Sequence, residues 1–178
     1  MKILLHACCA PCLIYPFQKL QEKGIEADVF FYNPNIHPEE EFEKRKTALE
    51  DLRKTTSIKV IYPPYDPKEY YSAVHEEPRP ARCHLCWALR LKKTAQAAKE
   101  FKYDGFSSTL LVSPHQDHEA LRSIGEDVAK EAGVPFYYED FRPGYPKARE
   151  KAKILGIYRQ KYCGCIFSLP PDYPADRI

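Results

Sequence analysis

Lys2-Ile-Leu-Leu-His-Ala7 runs straight into Cys8-Cys-Ala-Pro-Cys12, and a helical stretch carries the chain on to Gly24. A short apolar run closed by a loop and followed by a helix predicts a buried strand opening a strand–helix unit. The unit recurs. Residues 27–32 predict a second strand, followed by the loop Asn33-Pro-Asn-Ile-His-Pro38 and a charged helix from about 38 to 55, with Phe42, Leu49 and Leu52 at helical spacing. Residues 58–62 predict a third strand, and Asp66-Pro67 supplies a cap and first-turn proline for a helix to about His75.

Pro78-Arg-Pro80 breaks the chain before a strong helix over 82–102, whose Trp87, Leu91, Ala95 and Ala98 share a face. Residues 105–112 predict a fourth strand. Ser113-Pro-His-Gln116 has the capping-box form, opening a helix to about Gly133 with Leu121, Ile124 and Val128 facing inward. Residues 134–138 predict a fifth strand, and 141–178 are rich in proline, tyrosine and basic residues, with one helix at about 145–155. The expected fold is therefore a single-domain α/β structure over 1–178, Rossmann-like, with a mostly parallel sheet of about five strands, helices on both faces and the segment 141–178 packed on it. Parallel sheets bind ligands outside the carboxyl ends of their strands. That places Cys8, Cys9, Cys12, the 33–38 loop and the 113–118 loop on one edge.

A chain of 178 residues can bury roughly 68–70% of its unfolded surface in one core, so it needs neither disulfide nor metal merely to fold. No apolar run approaches the ~20 residues of a membrane span. The start carries one lysine and no small-residue cleavage site, which argues against a secretory signal. A cytosolic location without membrane attachment is the expectation, and there clustered cysteines read as metal-binding or catalytic. The net charge of +2 hides an asymmetry: residues 142–161 hold seven basic side chains against Glu150, interleaved with Tyr145, Tyr158 and Tyr162. That mixture suits phosphate contact with base stacking, and equally a solvated helix face beside an aromatic core.

The seven cysteines fall into three groups, Cys8-Cys9-x2-Cys12, Cys83-x2-Cys86 and Cys163-x-Cys165. Three cysteines in five residues are excessive for packing, and a helix N-terminus favours the thiolate. Arg82 adds positive charge beside the second group. Four thiolates from two such pairs suit structural zinc or a [4Fe-4S] cluster; the surplus of thiols favours the cluster, since zinc does no electron chemistry. Cys163-Gly-Cys165 suits a tight disulfide that cycles readily, or alternatively completes a zinc site with Cys83 and Cys86. Asp117, with His115 and His118, is a candidate proton source or ligand, or simply the polar start of a helix. Asn33, Asn35 and His37 are candidate pocket residues in an ordinary turn sequence, and His6 reads as a satisfied core histidine.

Leu5-His-Ala-Cys-Cys-Ala-Pro-Cys12, Tyr32-Asn-Pro-Asn-Ile-His-Pro38, Arg82-Cys-x-x-Cys86, Ser108–Pro114 running into Gln116-Asp-His118, Asp140-Phe-Arg142 and Arg159-Gln-Lys-Tyr-Cys-Gly-Cys165 resemble, in order and over nearly the whole chain, the QueH family of epoxyqueuosine reductases. The resemblance implies an oxidoreductase that removes the epoxide oxygen of epoxyqueuosine at the wobble position of tRNA. It implies Cys8, Cys9, Cys83 and Cys86 as [4Fe-4S] ligands and Cys163 with Cys165 as a redox-active pair. Cys12 matches a family cysteine and, with Asp117, is a candidate for an adjacent mononuclear iron; Asp117 is also a candidate proton donor. The implied partners are the tRNA anticodon stem-loop and an external electron donor that the sequence does not name. Two rival readings remain from the residues: a thioredoxin-like thiol–disulfide oxidoreductase using Cys9-Ala-Pro-Cys12, and a zinc-stabilised RNA-binding module.

Overall fold

The computed structural model describes residues 1–75 and 77–171. Its sheet has four parallel strands, β1 (Lys2–His6), β2 (Glu26–Phe30), β3 (Val60–Ile61) and β4 (Gly105–Ser108), in the order β3-β2-β1-β4. Ile3, Leu4 and Leu5 of β1 are fully buried on both faces, as a central parallel strand under helices on either side must be. Ile3 and Leu5 pack with Leu13 and Leu20 of α1 (Ala10–Glu22) and with Leu49 and Leu52 of α2 (Glu39–Lys54). Leu4 packs on the opposite face with Leu91 and Ala98 of α4 (Ala81–Glu100) and Val128 of α5 (His118–Ala132). A short α3 (Pro67–Val74) is capped by Asp66, whose Oδ1 accepts from Lys68 N at 2.9 Å. The last helix, α6 (Tyr145–Ile154), lies against α1.

Three expectations are corrected. Residues 134–138 do not form a fifth strand; they touch the sheet through a single parallel bridge, Phe106 to Phe136. Phe106 donates to Pro135 O at 3.0 Å and Tyr137 donates to Phe106 O at 2.8 Å, but Pro135 has no N–H with which to extend the ladder. The helix after β4 starts at Asp117, not Ser113: Asp117 Oδ1 accepts from Ala120 N at 3.0 Å. Ser113 Oγ instead accepts from His115 N at 3.3 Å in the preceding turn. Residues 109–112 are likewise a 3-10 turn rather than strand, because Ser108 Oγ accepts from Leu110 N at 3.1 Å.

The loops after β1, β2 and β4 do converge. Asn33 Nδ2 donates to Ala7 O at 2.8 Å and Cys8 N donates to Thr109 Oγ1 at 3.2 Å, tying three strand ends into one edge. Among the described residues no helix is long and apolar enough to cross a membrane.

Candidate active site

A cavity of about 500 Å³ opens at that edge, and Cys8, Cys12, Cys83, Cys86, Cys163 and Cys165 all line it. Cys9 lies just behind the wall, 1% exposed. Its position is set locally. Cys9 is the extended N-cap of α1 (φ −172°), its Sγ accepting from Cys12 N at 3.3 Å, while Pro11 in the first turn needs no hydrogen-bond acceptor. The sulfurs of Cys8, Cys9 and Cys12 consequently lie within 4.8 Å of one another. Hydrogen bonds from the Cys12 and Cys9 thiols hold the Cys8 thiol well below the ordinary range. Burial pushes Cys9 up, and the hydrogen bond to Cys8 pushes Cys12 up. Of the three thiols, Cys8 is therefore the one whose thiolate form the surroundings favour.

Cys83 and Cys86, one turn apart at the start of α4, line the same cavity. Arg90, one turn further on and 4% exposed, donates Nε to Cys86 O at 3.3 Å and lines the same cavity. Arg82 lies over the Phe167 ring at 4.4 Å. His84, between the two cysteines, also faces the cavity, its ring 5.2 Å from Trp87.

Cys163-Gly164-Cys165 is held from a distance. Arg45 of α2 is 1% exposed; it pairs with Glu41 at 2.8 Å and donates to Tyr162 O and Cys163 O at 3.0 and 3.1 Å. Tyr158 donates to the second oxygen of Glu41 at 2.7 Å. His37 N donates to Gly164 O at 2.7 Å, and Tyr162 OH donates to His37 O. Gly164 is obligatory: at φ +108° a Cβ would meet Ile36 Cγ1 at 2.9 Å and Arg45 Nη1 at 3.1 Å. Cys163 is exposed through the cavity and has Ser168 Oγ at 2.8 Å, whereas Cys165 is 9% exposed. The hydrogen bond between the two thiols lowers Cys163 and raises Cys165. All seven cysteines are free thiols.

Other expected residues divide. Asn35, His115 and Asp117 line the cavity, although one Asp117 oxygen is committed to capping α5. His118 is buried against Tyr138, outside the cavity lining. His6 is a core histidine, bonded to Ser108 Oγ at 2.9 Å and Tyr32 O at 3.0 Å, and burial lowers it to about 4. Of the basic segment, Arg149 and Lys161 reach the cavity, with Arg149 lying 5.7 Å over the Tyr145 ring, while Arg142 is paired with Asp140 at 2.6 Å. Lys147, Lys151 and Lys153 stay on the exposed side of α6. Sequence reasoning missed Arg45, Tyr70, Arg90 and Gln160. Gln160 Nε2 donates to Cys9 Sγ at 2.8 Å. Its only signal was proximity to the Cys163 motif; Arg45 and Arg90 looked like ordinary helix charges.

The family model described as epoxyqueuosine reductase QueH matches residues 3–170. A protein named epoxyqueuosine reductase QueH from Dehalococcoides mccartyi is 42% identical over 168 residues, covering 94% of this chain and 92% of its own length. Its namesake from Thermotoga maritima is 38% identical over 176 residues, covering 94% and 90%. Among solved structures, one described as a predicted subunit of a tRNA methyltransferase from Methanocaldococcus jannaschii superposes with a TM-score of 0.53 at 14% identity, covering 85% of this chain and 74% of that one. That likeness supports the α/β fold.

Proposed function

We propose a site chemistry for a chain that belongs to the epoxyqueuosine reductase QueH family. The protein is an oxidoreductase that reduces epoxyqueuosine to queuosine, which sets aside a thioredoxin-like or zinc-module identity. One observation carries the finer reading: six of the seven cysteines face a single cavity. The fit to a thiolate-bound cluster rests on the donor set. The sulfurs of Cys8, Cys9 and Cys12 cluster within 4.8 Å of one another, Cys83 and Cys86 line the same cavity, and the soft ligands suit iron–sulfur chemistry. Arg45, Arg82 and Arg90 line the same space and would offset the negative charge of four thiolates. Cys8, Cys9, Cys83 and Cys86 are the ligands in this reading, and Cys12 with Asp117 is what the cavity offers to an adjacent mononuclear iron. When bound, a [4Fe-4S] cluster supplies electrons one at a time.

The chain's own residues do the rest. Loss of the epoxide oxygen as water takes up two electrons and two protons, and leaves a carbon–carbon double bond. Joining Cys163 and Cys165 in a disulfide releases two electrons and two protons, which balances it. Asp117 and His115, at the cavity mouth, are the candidate groups for moving a proton to the departing oxygen. The substrate in this reading is tRNA carrying the modified base. Arg79, Arg149 and Lys161 line the cavity and would contact backbone phosphates, while the Tyr145 ring offers a stacking surface for a base. Bringing the base into such a cavity requires turning it out of the loop stack. A cytosolic setting agrees with the free thiols.

The test is anaerobic purification followed by iron, acid-labile sulfide and nucleoside analysis. About four sulfides and four irons per chain, with a fifth iron where the adjacent mononuclear site is filled, and conversion of epoxyqueuosine to queuosine in tRNA, are expected. Stoichiometric zinc without sulfide in an active sample would overturn the cluster assignment.

A further inference from the structure

Tyr70 of α3 is fully buried, and its hydroxyl lies 2.8 Å from Cys165 Sγ. Val74 and Cys86 pack around it, and the His37 ring stands 5.6 Å away. The phenol is therefore aimed at one sulfur of the pair from an apolar wall. Its partner Cys163, two residues away, is reached from the cavity, whereas Cys165 is 9% exposed. Arg45 and His37 fix the peptide between them, so the two sulfurs do not exchange places without breaking these hydrogen bonds.

We propose that Tyr70 is a positioning residue of the dithiol: by donating to Cys165 it makes Cys163 the sulfur attacked by an external dithiol and Cys165 the sulfur that leaves. This rests on Cys163 and Cys165 being a redox pair, as proposed above. After turnover the pair is a disulfide. One thiolate of the donor attacks Cys163 Sγ, forming a mixed disulfide and breaking the Cys163–Cys165 bond, whose electron pair passes to Cys165 Sγ. The Tyr70 O–H steadies that thiolate until it takes a proton from solvent. The donor's second thiolate then attacks its own sulfur in the mixed disulfide, closing the donor's disulfide and releasing Cys163. The donor loses two electrons and two protons and the protein gains both. Attack is directed by access, since an exposed sulfur is reached first. A disulfide sulfur accepts a hydrogen bond poorly and a thiolate accepts it well, so Tyr70 favours the reduced pair.

The test uses the anaerobically purified, cluster-loaded protein in buffers of reduced and oxidised dithiothreitol, with acid quench, alkylation and mass spectrometry. The tryptic peptide beginning at Tyr162 carries Cys163 and Cys165 and no other cysteine. Tyr70→Phe keeps the ring and loses the hydroxyl. It should shift the equilibrium toward disulfide by roughly threefold to tenfold, the worth of one hydrogen bond; tenfold corresponds to about 30 mV more negative for this two-electron couple. In Cys165→Ser, a mixed disulfide with oxidised glutathione should accumulate on Cys163, and in Cys163→Ser the remaining Cys165 should react at least ~10-fold more slowly. An unchanged equilibrium in Tyr70→Phe, or equal reactivity of the two single cysteines, overturns the proposal. Failure of any disulfide to form between Cys163 and Cys165 in the parent protein instead overturns the redox-pair reading itself.

Discussion

The two ends of the cavity hold their sulfurs by different means. Cys8, Cys9 and Cys12 are placed by five consecutive residues: a strand ends, Cys9 caps a helix, and the backbone itself brings three sulfurs within 4.8 Å. Cys163 and Cys165 lie outside any α-helix or strand. Their backbone is fixed by Arg45, which is 118 residues away in sequence, and by His37. A site built by local geometry tolerates distant change, whereas one clamped by remote side chains fails when a single clamp is lost.

The contrast can be broken most sharply at the thiols. Replacing Cys8 or Cys83 by Ser should bring bound iron and sulfide to background along with activity, while Cys163→Ser should keep iron near the parent level and still lose turnover. Metal analysis beside single-turnover nucleoside assays separates the two. Iron lost equally in Cys163→Ser would make the dithiol part of the ligand set and dissolve the distinction.

The clamp comes next. Arg45→Met leaves Glu41 as a buried, uncompensated charge and frees two carbonyl oxygens, at a cost of about 3–5 kcal/mol, read by urea unfolding. Glu41→Gln combined with Arg45→Met should recover part of that loss without restoring the loop, so stability would improve and turnover would not. Recovery of both would show that the loop does not depend on the guanidinium.

The smallest effect is a pH dependence beneath the triad. His6 is lowered to about 4 by burial, from 6.5. The unfolded chain therefore binds more protons than the folded one between these values, and stability falls as pH drops from about 6.5 toward 4. The shift corresponds to roughly 3 kcal/mol over the window, absent above pH 7. Urea midpoints at pH 7.5 and 5 should differ in the parent and differ less in His6→Gln. An equal pH slope in both proteins would remove His6 from the account.

Much of the fold was legible because strand and helix signals are short-range. The run of apolar residues at 2–7, the Asp66-Pro67 start and the amphipathic face of Trp87, Leu91 and Ala95 each state their element within a few residues. The strand expected at 134–138 failed for a reason the sequence also contained: Pro135 cannot donate to a ladder, and apolarity alone did not weigh it. The helix cap failed because Ser113 and Asp117 are both good caps, and the choice between them depends on where β4 stops and the 3-10 turn begins.

Sequence alone determined the alternation of elements, the parallel sheet and the crowding of Cys8, Cys9 and Cys12 at one helix start, because these follow from residues that are neighbours along the backbone. It also carried the family motifs. Only the tertiary structure decided that Cys83, Cys86, Cys163 and Cys165 meet that triad around one cavity, that Arg45 is a buried clamp rather than a surface charge, and that Tyr70 faces a single sulfur. A charged or phenolic side chain reads the same in sequence whether it faces water or a thiol; burial chooses, and burial is a property of the whole packed chain.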